Sequence, residues 1–143
     1  MQAEVDALNK QILDMFDQYR VIIAGGRYFS DYELLKEKCD EFLQGKTSEE
    51  IVIISGHASG ADSLGERYAQ EKGFKIETYP ADWEKYGRAA GPKRNAQMAN
   101  IANALIAFWD GKSKGTKSMI NLAKKKGLQV FVAQYESLSK QRA

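Results

Sequence analysis

Apolar residues are laid out along the chain in two ways. Five stretches of strand length stand apart: RVIIAGGR from Arg20, IVII at Ile51 to Ile54, KIETY at Lys75 to Tyr79, ALIAFW at Ala104 to Trp109 and QVFVA at Gln129 to Ala133. Most are near-continuous apolar runs with no in–out alternation, the mark of strands covered on both faces. Between them, apolar residues recur at helical spacing. Leu35, Cys39, Phe42 and Leu43 stand at i, i+4, i+7 and i+8 behind SDYE, which reads as a capping box with Ser30 as N-cap and Glu33 three residues on. A second helix is expected from about Ala61 to Lys72, ending at Gly73; a third opens at Pro92; a fourth runs from about Thr116 to Lys126 and stops at Gly127. Glycine just past a helix and proline at its first position are the usual punctuation. Ahead of the first strand, Val5, Leu8, Ile12, Met15, Phe16 and Tyr19 share one face of an amphipathic helix.

The predicted organisation is an N-terminal helix over 1–19, one α/β domain over 20–135 and a tail over 136–143. Alternating strands and helices predict an α/β, doubly wound, five-stranded parallel sheet in the order 3-2-1-4-5. In such a sheet ligands bind beyond the carboxyl ends of the strands. Three glycine-rich loops are expected there: AGGRYFS after strand one, SGHASGAD after strand two and WDGKSKGT after strand four. Strands two, one and four are neighbours in that order, so the loops converge on one crevice.

Composition narrows the class. A chain of 143 residues, 43% apolar and 28% charged, is that of an ordinary soluble globular domain. A net charge of +2 does not by itself mark a nucleic-acid protein. The single cysteine, Cys39, excludes an internal disulfide and a multi-cysteine metal site. No apolar run approaches the roughly 20 residues of a membrane span, and the first residues do not resemble a signal peptide. The expected location is the cytoplasm, with no membrane partner.

Within the loops, Gly25 and Gly26 let a ligand approach the backbone, and the Arg27 fork matches a phosphate or carboxylate. The spacing is not GxGxxG, which removes the dinucleotide fingerprint. Gly56 and Gly60 free the second loop, where Ser55, Ser59 and backbone amides can face an anion at a helix N-terminus. Asp62 either satisfies amides at the start of that helix or holds a ribose hydroxyl. His57, the only histidine, has no partners for a Ser–His–Asp triad. Gly115 and Thr116 open the last helix among Lys112, Lys114 and Lys117, a second cradle or a solvated lysine loop. It lacks the frame of a P-loop. After strand three, Trp83 or Tyr86 can stack on a base or cover the sheet edge, and Arg94 and Asn95 can reach the crevice mouth.

Taken in order, GGR, SGHASGAD, PADWEKYGRAAGPKRNAQM and ALIAFWDGKSKGT resemble the SLOG superfamily, nearest its YspA/YpsA-related group, over about Arg20 to Val132. The resemblance implies a Rossmann-like fold and a site for nucleotides or nucleotide-derived ligands. Carried over, that site comprises Gly25, Gly26, Arg27, Ser55, Gly56, Gly60, Asp62, Asp82, Trp83, Arg94, Asn95, Asp110, Gly115 and Thr116. His57 and Ser59 stand where the family more often has a glycine and an arginine. The superfamily's cytokinin-activating phosphoribohydrolases carry PGGxGTxxE; here Gly115 and Thr116 are kept, the Pro-Gly-Gly is missing and Met119 replaces the glutamate. A branch similar to DNA-processing protein A binds single-stranded DNA.

The leading expectation is a binding module for a nucleotide or ADP-ribose-like ligand, as sensor or sequestering domain. A nucleotide hydrolase acting on an N-glycosidic or phosphate bond, with Asp62, Asp82 or Asp110 as base, is one alternative. Single-stranded nucleic-acid binding is another. No cofactor is firmly implied and no metal site is expected; Mg2+ arriving with a nucleotide, and assembly into a homo-oligomer, are left open.

Overall fold

The computed structural model describes residues 18–136. The N-terminal helix expected over 1–19 and the tail over 136–143 lie outside these residues except at their inner ends. At one of those ends, Tyr19 opens the first strand rather than closing a helix: it pairs with Ile51.

The strands are β1 (Tyr19–Gly25), β2 (Ile51–Ser55), β3 (Lys75–Thr78), β4 (Ala104–Trp109) and β5 (Gln129–Gln134). They form one parallel sheet in the order β3-β2-β1-β4-β5, a Rossmann-like α/β fold. The connecting helices are α1 (Tyr32–Phe42), α2 (Ala61–Lys72), the short α3 (Trp83–Tyr86), α4 (Ala90–Ile101) and α5 (Lys114–Lys125). Right-handed crossovers decide their sides. The chain steps outward from β1 to β3, then returns past β1 to β4 and β5. The first two crossover helices therefore cover one face and the last two the other. Val21, Ile23, Ile53, Ile106 and Phe108 pack with Leu35, Cys39 and Tyr68 on the first face. Ile22, Ile54, Leu105 and Ala107 pack with Met98, Met119 and Ile120 on the second.

The continuous apolar runs are thus explained for β1, β2 and β4, which are sandwiched between helices. The edge strands β3 and β5 are largely half-buried or exposed. Several boundaries differ from the sequence expectation. The cap of α1 is Asp31, not Ser30: its Oδ1 accepts from Leu34 N at 3.0 Å. Both residues suit the position, but the Ser30 carbonyl is already engaged by Tyr32 N. Before α4, a 3-10 turn at Gly87–Ala89 brings the chain in already coiled, so Pro92 sits in the first turn and not at its opening. Proline is tolerated there because its missing amide would have no helical partner.

Candidate functional site

The loops after β1 and β2 are stitched to each other. Gly26 O accepts from Ala61 N at 3.1 Å and Phe29 N at 3.2 Å, while Gly26 N donates to Phe108 O at 3.2 Å. Ser59 Oγ donates to Arg27 O at 3.3 Å. Gly60 sits at φ +77°, and a Cβ there would fall 2.2 Å from Gly26 O. Only glycine permits both the conformation and the contact. Phe29 anchors the first loop from below, stacked on Phe108 at 5.0 Å and edge-on to Tyr135 at 4.7 Å.

The loop after β2 is tied down by a residue that sequence reasoning passed over, Glu66 on α2. Its carboxylate accepts from Ser55 Oγ at 2.7 Å and faces His57 Nδ1 at 2.9 Å. His57 N in turn donates to Ser55 Oγ at 3.1 Å. The carboxylate lies between serine and imidazole, whereas a nucleophile triad needs the imidazole between them. Ser55 is also fully buried, so this is a loop clamp. His57 adopts φ +59°, the one non-glycine residue at positive φ among the described residues. A glycine would adopt that conformation freely, whereas it costs a histidine about 1–2 kcal/mol. A signal for Glu66 was present: it stands one turn after Asp62 on α2, so both side chains reach back toward the loop.

Beneath this loop, Arg94 and Asp62 form the floor. Arg94 Nη1 donates to Gly56 O at 2.5 Å and Nε to Asn95 Oδ1 at 2.8 Å. Asp62 is 6% exposed, and its Oδ2 accepts from Ala58 N at 3.1 Å. It satisfies a loop amide, not the helix N-terminus, whose N-cap Gly60 makes no side-chain bond. Burial pushes the Asp62 carboxyl up, against the pull of the Ala58 amide and the Arg94 charge. Burial likewise lowers Arg94, which Asp62 opposes and Arg27 reinforces.

The loop after β4 is self-contained. Asp110 Oδ1 accepts from Ser113 N at 2.8 Å and Lys112 N at 2.9 Å, bonds that hold this carboxyl below the usual range. Trp109 Nε1 donates to Ser113 O at 3.0 Å. Ser113 is the N-cap of α5 but makes no capping bond; its hydroxyl lies 3.3 Å from Thr116 Oγ1. The first-turn amides of α5 are therefore left without a helical or side-chain partner. Gly115 has nothing within 4 Å of where a Cβ would stand.

These parts surround an open crevice of about 1880 Å³ at the carboxyl ends of the strands. Of the residues expected from sequence, Gly25, Gly26, Arg27, Asp62, Trp83, Arg94, Asn95, Asp110, Gly115 and Thr116 line it. Gly56, His57 and Ser59 line an adjoining pocket of about 260 Å³, which shares Arg27, Ala58, Trp83 and Arg94 with the crevice. Ser55, Gly60 and Asp82 line neither cavity. Asp82 is the N-cap of α3, its Oδ1 accepting from Lys85 N at 3.1 Å, and so it positions Trp83. The Arg27 guanidinium lies over the Trp83 ring, 5.7 Å from its centroid. Tyr28, 93% exposed, and Tyr135 also line the crevice; neither was anticipated. Met119, at the place of the phosphoribohydrolase glutamate, is buried in the second core. Among the described residues no group of three or more His, Cys, Asp or Glu could hold a metal ion, and no helix is long and apolar enough to cross a membrane.

Residues 19–86 match the model of the YspA, cpYpsA-related SLOG family. The Gene 61 protein of Mycobacterium phage D29 is 33% identical over 118 residues, covering 78% of this chain and 94% of the phage protein. The structure is similar to DNA processing protein A (DprA) from Streptococcus pneumoniae, with a TM-score of 0.65 and 21% identity over 88% of this chain and 54% of that one. It is also similar to the Helicobacter pylori DNA processing protein A, described for its single-stranded DNA binding mode, at TM-score 0.61 and 22% identity over 90% and 73% of the two chains. The chain thus spans about half the length of the S. pneumoniae protein, and at these identities the likeness is one of fold.

Proposed function

We propose that this chain, which belongs to the YspA, cpYpsA-related SLOG family, binds a nucleotide or a nucleotide-derived, ADP-ribose-like ligand in the crevice, as a sensor or sequestering module. The observation that carries the reading is the meeting of three recognition chemistries in one cavity: the open N-terminal turn of α5, the Arg27 guanidinium and the half-exposed Trp83 ring. Free amides at a helix N-terminus and a planar fork of donors suit phosphate. Asp62 suits a ribose hydroxyl, and Trp83 presents a ring face to a base. Any Mg2+ would be held chiefly by the phosphates of the ligand. All three aspartates accept from backbone amides, and Asp82 lines neither cavity, so a hydrolytic role would rest on Asp62 or Asp110, which line the crevice.

Single-stranded DNA is the second reading. It is favoured by the size of the crevice, well beyond the roughly 300–1,000 Å³ of small-molecule sites, and by Tyr28 standing out at its rim. Aromatic rings beside basic residues are the platform such strands use. The fold likeness to a DNA processing protein A with a single-stranded DNA binding mode adds to it.

The test is a thermal-shift panel with AMP, ADP, ATP, GTP, NAD, ADP-ribose and oligo(dT), with and without Mg2+. A nucleotide-specific rise in Tm that is lost in Arg27→Ala supports the first reading. A response to oligo(dT) alone, weakening steeply with salt, supports the second.

A further inference from the structure

The small pocket beside the crevice has a composition of its own. Its wall is made by Arg27, Arg94, His57, Ser59, Trp83 and the Pro80–Ala81 turn, and no acidic residue lines it. Neither guanidinium forms an ion pair among the described residues. The two are close enough for the Arg27 charge to depress Arg94. The Asp62 carboxylate is close enough to feel both charges but does not line this pocket. Two guanidinium groups facing a cavity that no carboxylate lines leave a positive potential there that an anion would relieve.

The His57 ring is oriented to serve the same pocket. Its Nδ1 end donates to the Glu66 carboxylate, so Nε2 is the end left to a ligand, a donor to phosphate in the imidazolium form, and Nε2 makes no hydrogen bond among the described residues. The side chain is 60% exposed. The chain accepts positive φ at this residue where a glycine would relieve it. Backbone strain of this kind, held in place by the clamp of Ser55 and Glu66, is characteristic of ligand-contacting positions.

We propose, resting on the nucleotide reading above, that this pocket is a second anion subsite, in which Arg27, Arg94, His57 and the Ser59 hydroxyl, turned away from Arg27 O, take a second phosphate of a ligand whose first lies in the crevice. The ligand class is then a nucleotide with two separated phosphates. The Arg27–Trp83 stack stands between the two cavities and lines both. It serves both phosphates from one guanidinium, and its ring face flanks the nucleoside that links them. The same chemistry has two sources, a free nucleotide bisphosphate or consecutive phosphates of a DNA strand.

The test is calorimetric titration of the whole chain with 5′-AMP, adenosine 3′,5′-bisphosphate and the dinucleotide pTpT. At least one two-phosphate ligand is expected to bind about tenfold more tightly than AMP, the worth of one charge-assisted hydrogen bond. That ratio collapses toward one in Ser59→Ala and in His57→Gly. The glycine variant relieves the strained backbone, so its Tm holds or rises while the preference is lost, which separates a ligand contact from a folding defect. A gain with the bisphosphate alone assigns a free nucleotide, and a gain with pTpT alone assigns a strand. Equal affinity for all three ligands, or a preference that survives both variants, overturns the subsite and leaves the nucleotide reading standing. No binding of any of the three overturns the subsite, and the nucleotide reading falls with it when the thermal-shift panel is flat as well.

Discussion

The loops after β2 and β4 both carry glycines and both lead into a helix at the crevice, yet they are built on opposite plans. The loop after β2 is fastened to its surroundings at every step: Gly60 against the first loop, Gly56 to Arg94, and Ser55 and His57 to Glu66. The loop after β4 is fastened mainly to itself, through one carboxylate and one indole, and leaves the first amides of α5 open. The first plan fixes side chains in space; the second offers bare backbone. A site needs both, because a guanidinium is selective only when held, whereas an amide cradle works by being uncovered.

Substitutions probe this contrast. Gly60→Ala strikes the fastened loop hardest, since its Cβ meets backbone that has no room to move. It is expected to cost about 2–4 kcal/mol in urea unfolding, through overpacking and a left-handed alanine. Glu66→Gln removes an acceptor shared by Ser55 and His57, and about 1–2 kcal/mol should follow; a change near zero would mean the clamp is ornamental. Asp62→Asn is read by its pH dependence. The Asp62 carboxyl is raised by burial, so the fold favours the protonated form. Its contribution is complete below the ordinary unfolded value of about 3.9 and is lost as pH climbs through the raised folded value. The stability of the asparagine variant relative to wild type should therefore improve between pH 4 and pH 7, and a flat difference would contradict the assignment. Gly115→Ala has the smallest effect and the opposite sign. It gains about 0.5 kcal/mol of helix stability while weakening nucleotide binding, because the methyl covers the open turn.

The sheet was legible because central parallel strands must be apolar on both sides. The runs at Val21 to Ile23, Ile51 to Ile54 and Ala104 to Phe108 carry that requirement openly. Their order is the usual one of a doubly wound sheet, and that order alone brought three loops together. Local choices were less legible. Ser30 and Asp31 have equal chemistry for a cap, and only the competing Tyr32 bond separates them. Asp82 reads as a ligand residue or a base, and its place as the cap of α3 shows only once that helix is seen to begin beside it. Glu66 was hidden by looking ordinary, a glutamate in a helix whose partners lie in the preceding loop. Tyr28 was passed over because the glycines and arginine before it drew the reading.

The stitch between Gly26 and Phe108 has a consequence in time. Each wall of the crevice comes from a different stretch of the chain, near positions 26, 62, 94 and 115. The β1–β4 pairing that aligns them joins the first described strand to the fourth. Such pairings carry the largest loop-closure cost and govern the pace of folding. As the chain leaves the ribosome, three strands can be out and the loops after β1 and β2 already joined, while the wall near 115 is still missing. The crevice is complete only once β4 has slotted in beside β1 and β5 has followed, bringing Gln134 and Tyr135 to its lining.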